Sequence, residues 1–124
     1  MPMGVKHPLA PEVMDHYREA MPTPKSRVGA AELPVQLMGA TRWLGTLERD
    51  VKDRLANVPM LLVWGLLDPM FGRSFLERFR ETFKLARVIR LDAKHFIQED
   101  APREISEAIE TFLEEGLGAR GSRG

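Results

Sequence analysis

The chain has 124 residues, with 18 basic and 18 acidic side chains and no cysteine. This length suits one domain, the balanced charge does not indicate nucleic acid or an anionic membrane as a partner, and the lack of cysteine excludes disulfides and thiolate chemistry. The longest apolar run, residues 60–64, is too short to span a bilayer. Residues 1–11 hold no apolar run of signal-peptide length, so we expect a cytoplasmic protein.

The first third of the chain is rich in proline and is predicted to form short helices joined by turns. Pro11 suits the first turn of a helix whose apolar residues recur at helical spacing. Further helices are predicted over residues 25–33 and, at greater length, over residues 39–56. The longer helix is expected to end before Pro59, because the residue preceding a proline avoids helical geometry.

The middle of the chain predicts a strand, a helix and a second strand. Residues 60–64 form a continuous apolar run between Pro59 and Gly65, which is typical of a strand buried on both faces of a parallel sheet. A helix is predicted over residues 73–83, followed by a partly polar strand over residues 87–91 that suits a sheet edge. Together they indicate a βαβ unit with parallel strands.

A final helix is predicted to begin near Asp100. Asp100 is a suitable N-cap and Pro102 is suited to the first turn. Gly116 is expected to end this helix, and the tail of residues 116–124, rich in glycine and arginine, is expected to be disordered.

Two loops lie where chemistry is expected in such a fold, because ligands of open α/β sheets bind beyond the carboxyl ends of the strands. They are residues 65–71, with Asp68, and residues 92–100, with His95. Adjacent parallel strands would bring the two side chains together, and a carboxylate on an imidazole fixes its tautomer and stabilises the imidazolium. The alternatives are a turn residue for Asp68, since Asp-Pro is common in loops, and a loop histidine that binds backbone groups for His95.

Three segments carry a resemblance to a known family. Residues 62–69, Leu-Val-Trp-Gly-Leu-Leu-Asp-Pro, resemble the α/β-hydrolase segment that bears the triad acid. Residues 95–102, His-Phe-Ile-Gln-Glu-Asp-Ala-Pro, resemble the catalytic-histidine segment of haloalkane dehalogenases and near relatives such as epoxide hydrolases. Residues 9–18, with the two prolines that follow, are similar to the end of the cap domain in that family.

This resemblance implies an α/β class with a partial α/β-hydrolase fold: the end of the helical cap plus the last βαβα unit of the parallel sheet. Residues 1–38 would be the remnant of the cap domain, residues 39–115 the C-terminal part of the hydrolase core, and residues 116–124 the disordered tail. Neither a metal nor a cofactor is expected.

The resemblance also implies roles for individual residues. Asp68 would be the acid and His95 the base of a hydrolytic triad. Met70, Phe71 and Phe96 are candidates to line the substrate pocket, although packing in the core explains them equally well.

No nucleophile is found in the 124 residues. The family carries it on a Gly-x-Asp-x-Gly or Gly-x-Ser-x-Gly elbow that precedes the acid, whereas no two glycines of this chain stand four positions apart. Residues 72–76 come nearest, but they lack the second glycine and follow Asp68. In addition, Lys94 precedes His95 where the family usually has glycine.

These observations favour a fragment of a haloalkane dehalogenase-like hydrolase, in which the intact parent cleaves a carbon–halogen bond and this chain alone is inactive. The alternatives are a fragment of an epoxide hydrolase or esterase-type relative, one half of a split enzyme completed by an N-terminal hydrolase fragment, or a non-catalytic module that self-associates through an exposed sheet edge. The expected partner is a small-molecule substrate, with neither nucleic acid nor membrane. The identity of the nucleophile, the substrate and the oligomeric state stay open.

Overall fold

The computed structural model describes residues 3–121, with side chains described up to residue 116. The chain divides into two compact units. Residues Leu9–Ala56 form one, called here the helical unit. Of the described residues, those up to Pro8 and those from Asn57 onward form the other, called here the core unit.

The helical unit consists of α1 (Pro11–Glu19), a 3-10 turn (Lys25–Arg27), α2 (Val28–Gly39) and α3 (Thr41–Leu55). Pro11 begins α1 and the long helix is present as α3, so both predictions are confirmed. The short helix predicted over residues 25–33 is wrong in its bounds. At the start of the 3-10 turn, the Thr23 N–H donates to Ser26 Oγ and the Ser26 N–H donates to Thr23 Oγ1. The turn leads into α2, and that helix continues through Pro34. None of the residues in these helices is fully buried.

The core unit contains the predicted βαβ arrangement: β1 (Met60–Gly65), α4 (Arg73–Thr82) and β2 (Ala86–Leu91). The strands are parallel, with a register that runs from Met60 opposite Ala86 to Gly65 opposite Leu91. The parallel pairing of two strands joined by a helix confirms the predicted α/β class.

Burial in the core unit centres on the end of β2 and the segment after it. Leu91, Ala93 and Ala101 are buried, and half-buried apolar side chains from β1, β2, α5 and α6 pack against them, namely Val63, Ile89, Ile97 and Ile105. Within β1 only Leu62 and Gly65 are buried. The expected burial of this strand on both faces is therefore not reached, because the sheet of the described residues has two strands.

The C-terminal part differs from its prediction in two respects. Asp100 ends a short helix, α5 (Ile97–Asp100), and α6 (Pro102–Gly121) begins after the non-helical residue Ala101, so Asp100 is not an N-cap. The predicted helix end at Gly116 is also wrong, since α6 continues to Gly121; a glycine lowers helix propensity by only about 1 kcal/mol and does not by itself stop a helix. Of the predicted tail, residues 122–124 lie outside the described residues. The three-part division at residues 38 and 115 stays a prediction.

Within residues 3–121, no helix combines the length and the apolar character needed to cross a membrane.

Candidate active site

The loops after β1 and β2 leave the sheet at the same end, the carboxyl end of both strands, and stay hydrogen-bonded to each other. The ladder continues past the strands, where the Leu66 N–H donates to the Leu91 carbonyl (2.9 Å) and the Leu67 N–H donates to the Ala93 carbonyl (3.0 Å). Parallel register thus fixes the acid loop, residues 65–71, beside the histidine loop, residues 92–100.

Gly65 sets how closely these two loops approach. A Cβ atom at this position would lie 2.4 Å from the Lys94 carbonyl oxygen and 2.6 Å from that of Ala93. These are backbone atoms, which a side-chain rotation cannot move away. The close approach of the histidine loop therefore requires glycine here, whereas the sequence alone indicated only the end of a strand.

The backbone of the acid loop orients the carboxylate of Asp68. Its Oδ1 accepts hydrogen bonds from the Met70 N–H (2.7 Å) and the Phe71 N–H (3.1 Å). This is the local turn that aspartate commonly forms with the residues that follow it. Because Oδ1 is held by the loop, Oδ2 is left to bind a group from elsewhere.

That group is the imidazole of His95. Asp68 Oδ2 lies 3.0 Å from His95 Nδ1, and the two side chains are 9% and 26% exposed. The predicted meeting of the two side chains is confirmed. The turn interpretation of Asp68 is correct as well, since one carboxylate makes both sets of contacts. In a neutral ring, the carboxylate requires the proton on Nδ1, which leaves the lone pair of Nε2 free to accept a proton.

The surroundings of Asp68 favour its charged form. Burial by itself raises the pKa of the carboxyl, but the hydrogen bond to His95, the N–H groups of Met70 and Phe71 and the attraction of the imidazolium outweigh it. The net result is a pKa below the ordinary aspartate value. The group is therefore an anion that orients the histidine, not an acid that gives up a proton near neutral pH.

Two aromatic rings flank the imidazole. The Phe71 ring lies 5.6 Å from the His95 ring, tilted by 34°, and the Phe96 ring lies 5.2 Å away in an edge-on arrangement. Met70 contributes its backbone N–H to Asp68, while the residue itself is 63% exposed. Phe71 and Phe96 thus lie beside the histidine, and the pocket-lining roles of all three residues stay a prediction.

The contact made by Trp64 is not indicated by the sequence, in which this residue is only part of a predicted buried strand. The indole Nε1–H donates to the carbonyl of Phe71 (2.9 Å), seven residues further along the chain. The indole also packs against Phe79 of α4, with ring centroids 5.8 Å apart. Trp64 therefore ties the far end of the acid loop to the strand from which it emerges.

Asp100 is the second residue with an unforeseen contact. Its Oδ2 accepts from the Lys94 N–H and its Oδ1 from the Lys6 N–H, each at 2.8 Å. The only signal in the sequence was an acidic residue close to His95, which also fits a helix cap.

Among the residues that the structure describes, no three histidine, aspartate or glutamate side chains are grouped so that they could hold a metal ion.

Comparison with known proteins gives matches over most of the chain, although no family model matches it. The chain is 40% identical to haloalkane dehalogenase 2 of Mycobacterium tuberculosis over 111 residues, which cover 88% of this chain and 39% of that protein. It is 29% identical to a cis-3-alkyl-4-alkyloxetan-2-one decarboxylase of Xanthomonas campestris over 117 residues, covering 90% of this chain and 39% of that protein. It is 28% identical to a haloalkane dehalogenase of Mesorhizobium japonicum over 120 residues, again covering 39% of that protein.

The parallel βαβ unit and these relatives together define a part of an α/β-hydrolase fold. The chain spans about two fifths of the length of the curated relatives it matches. Within that class the chain is haloalkane dehalogenase-like and corresponds to a C-terminal part of the fold.

Proposed function

We propose that Asp68 and His95 are the acid and the base of a haloalkane dehalogenase-like hydrolase whose nucleophile is supplied by residues outside these 124. The observation that carries the proposal is the 3.0 Å contact between Asp68 Oδ2 and His95 Nδ1 at the carboxyl edge of the sheet. The 40% identity to haloalkane dehalogenase 2 supports the choice of reaction class.

In this proposal the chain supplies the second half of the reaction. On the family pattern, a nucleophilic aspartate attacks the substrate carbon, so that an ester bond forms as the carbon–halogen bond breaks and halide leaves. His95 Nε2 then takes a proton from water while the water oxygen attacks the ester carbonyl. Asp68 holds the proton on Nδ1 and stabilises the imidazolium that forms. As the ester carbon–oxygen bond breaks, the alcohol oxygen takes the proton from the imidazolium, and the carboxylic acid left behind loses its proton to solvent, which regenerates the nucleophile and the neutral base.

The same proposal predicts that the 124-residue chain has no hydrolytic activity alone, because a base without a nucleophile cannot form the ester intermediate. The clean chain should release neither bromide from a bromoalkane nor p-nitrophenol from its esters. If the folded chain shows turnover that the His95→Gln variant lacks, a nucleophile is present and the prediction that the chain alone is inactive is wrong.

Reconstitution tests the proposed roles directly. A chimera would join these 124 residues to the remaining part of haloalkane dehalogenase 2, which on the family pattern carries the nucleophile elbow. We expect halide release from the chimera, and its loss in the His95→Gln variant. The matched control is His16→Gln, a change of an exposed histidine on α1, which should leave halide release unchanged.

The products distinguish the reaction classes. Release of halide supports the dehalogenase assignment. A diol formed from an epoxide would favour the epoxide hydrolase alternative, and release of p-nitrophenol alone would favour the esterase alternative. A folded chimera in which His95→Gln retains full turnover would contradict the role of the histidine.

A further inference from the structure

We propose that Asp100 is a positioning residue, which holds the backbone of the histidine loop so that His95 meets Asp68. This inference rests on the role proposed for His95. The backbone is hydrogen-bonded on both sides of the histidine, at the residue before it and at the residue after it.

On the near side of His95, the Lys94 N–H donates to Asp100 Oδ2 at 2.8 Å. On the far side, the Phe96 N–H donates to the carbonyl of Gly4 at 2.8 Å. Asp100 Oδ1 accepts from the Lys6 N–H, also at 2.8 Å. One carboxylate therefore links the histidine loop to the segment of residues 4–6, and that segment in turn binds the other side of the histidine.

The segment of residues 4–6 is itself held firmly against the loop. Val5 is buried, with 4% of its surface exposed. At Gly4, an added Cβ would lie 2.3 Å from the ring of Phe96, so the backbone is packed directly on that ring. The Lys6 ammonium also pairs with the exposed carboxylate of Asp92, but an ion pair screened by water adds little to this attachment. Asp100 thus connects two segments that are already packed together, and this contact limits the motion of the peptide groups around His95.

The chemistry of the site requires a carboxylate in particular. Two backbone N–H donors approach two different oxygens, and only a carboxylate offers an acceptor on both sides. An asparagine of the same shape offers one oxygen and one NH2 group, so one N–H would face another donor. Asp100→Asn therefore removes one of the two contacts with almost no change in volume.

Nuclear magnetic resonance on the 124-residue chain tests the proposal without the need for turnover. In the unaltered chain, the His95 Nδ1–H signal should show the hydrogen bond to Asp68, and the carboxyl signal of Asp68 should titrate below the ordinary aspartate value. In Asp100→Asn, we expect the Nδ1–H signal to weaken or vanish and the pKa of Asp68 to rise toward the ordinary value, because the ring is no longer held at the carboxylate.

Asp92→Asn is the matched control. Asp92 is exposed and lies at the start of the same loop. Its carboxylate contacts the side-chain ammonium of Lys6, not the Lys6 backbone N–H. The control makes the same change of charge and should leave both signals of the Asp68–His95 pair unaltered. An Asp100→Asn variant with unaltered signals, or an Asp92→Asn variant with an equal loss, would overturn the proposal.

Amide exchange in the unaltered chain provides a measurement that does not depend on the variant folding. The amides of Lys6, Lys94 and Phe96 should show similar protection, because they open as one linked unit; a freely exchanging Lys94 amide would contradict the link.

Failure of the chimera to hydrolyse substrate would refute the proposed function and leave these signals unaffected. Unaltered signals in Asp100→Asn beside an active chimera would refute only the positioning role.

Discussion

Asp68 and His95 stand 27 positions apart in the chain, yet Oδ2 of the aspartate lies 3.0 Å from Nδ1 of the histidine. The distance is set by backbone, since parallel pairing of β1 and β2 brings their loops to one edge and Gly65 lets those loops touch. The orientation is set by the turn, in which Met70 and Phe71 occupy the other carboxylate oxygen.

The first prediction concerns the tautomer of His95. In Asp68→Asn, the amide oxygen can keep the N–H groups of Met70 and Phe71, which places the NH2 group toward Nδ1. The neutral ring should then move its proton from Nδ1 to Nε2, because Nδ1 must become the acceptor. Nitrogen-15 shifts of the labelled ring would report the change. A ring that keeps its proton on Nδ1 in Asp68→Asn would contradict the hydrogen bond as described, and Asp92→Asn is the control that should not change it.

The second prediction concerns stability in acid. Because the folded-state pKa of Asp68 lies below the ordinary aspartate value of 3.8, the contribution of the carboxylate is fully present above that pH and is lost as the pH falls through the folded value. At pH 5, Asp68→Asn should lower the free energy of unfolding by about 1.5–3 kcal/mol, as for hydrogen bonds to charged groups. Urea unfolding at pH 5 and at pH 2.5 should show this difference shrink; an equal difference at both pH values would contradict the lowered pKa.

The third prediction concerns the contact between the loops. Gly65→Ala would place a methyl group within 2.4 Å and 2.6 Å of two backbone oxygens of the histidine loop. We expect a loss of about 1–3 kcal/mol, as for other overpacked sites, together with a shift of the His95 ring signals. Gly72→Ala is the control, since no atom lies within 4 Å of an added Cβ there. Equal unfolding free energies for the two variants would show that the loops do not approach as closely as described.

The fourth prediction concerns the indole of Trp64. Trp64→Phe keeps a ring near Phe79 but removes the donor to the Phe71 carbonyl. The loss should be about 0.5–1 kcal/mol, at the lower end for a hydrogen bond because Phe71 is partly exposed. Amide exchange at Met70 and Phe71 should become faster as the acid loop loosens. Trp43→Phe, a change of a 63% exposed side chain on α3, should alter neither quantity, and unchanged exchange in Trp64→Phe would rule out the anchoring contact.

Several elements were predictable from sequence because their signals are local. The apolar run that forms β1, the proline that begins α1 and the apolar spacing of α3 each report a local backbone preference. The bounds of helices were less predictable at positions where a helix-breaking residue competes with the helical pattern around it. Pro34 suggested a break that α2 tolerates, and Gly116 suggested an end that α6 passes through.

Asp100 shows why part of the site could not be predicted. An aspartate just before Pro102 fits a helix cap equally well, and the choice depends on where the Lys6 N–H lies, 94 positions earlier in the chain. Trp64 is similar, since the partner of its indole N–H is a loop carbonyl whose position follows from the turn at Asp68. Contacts of this kind leave no periodic pattern in a sequence.

By itself, the sequence determined the kinds of group that could take part in chemistry, the parallel pairing expected of a βαβ unit, and the resemblance that the relatives confirm. Only the tertiary structure decided which atoms meet: Oδ2 with Nδ1, the Gly65 backbone with the histidine loop, and Asp100 with two backbone N–H groups. The reason is physical. Secondary structure follows from preferences of neighbouring residues, whereas a hydrogen bond requires its two atoms within about 3 Å, a separation that is fixed only when distant segments pack together.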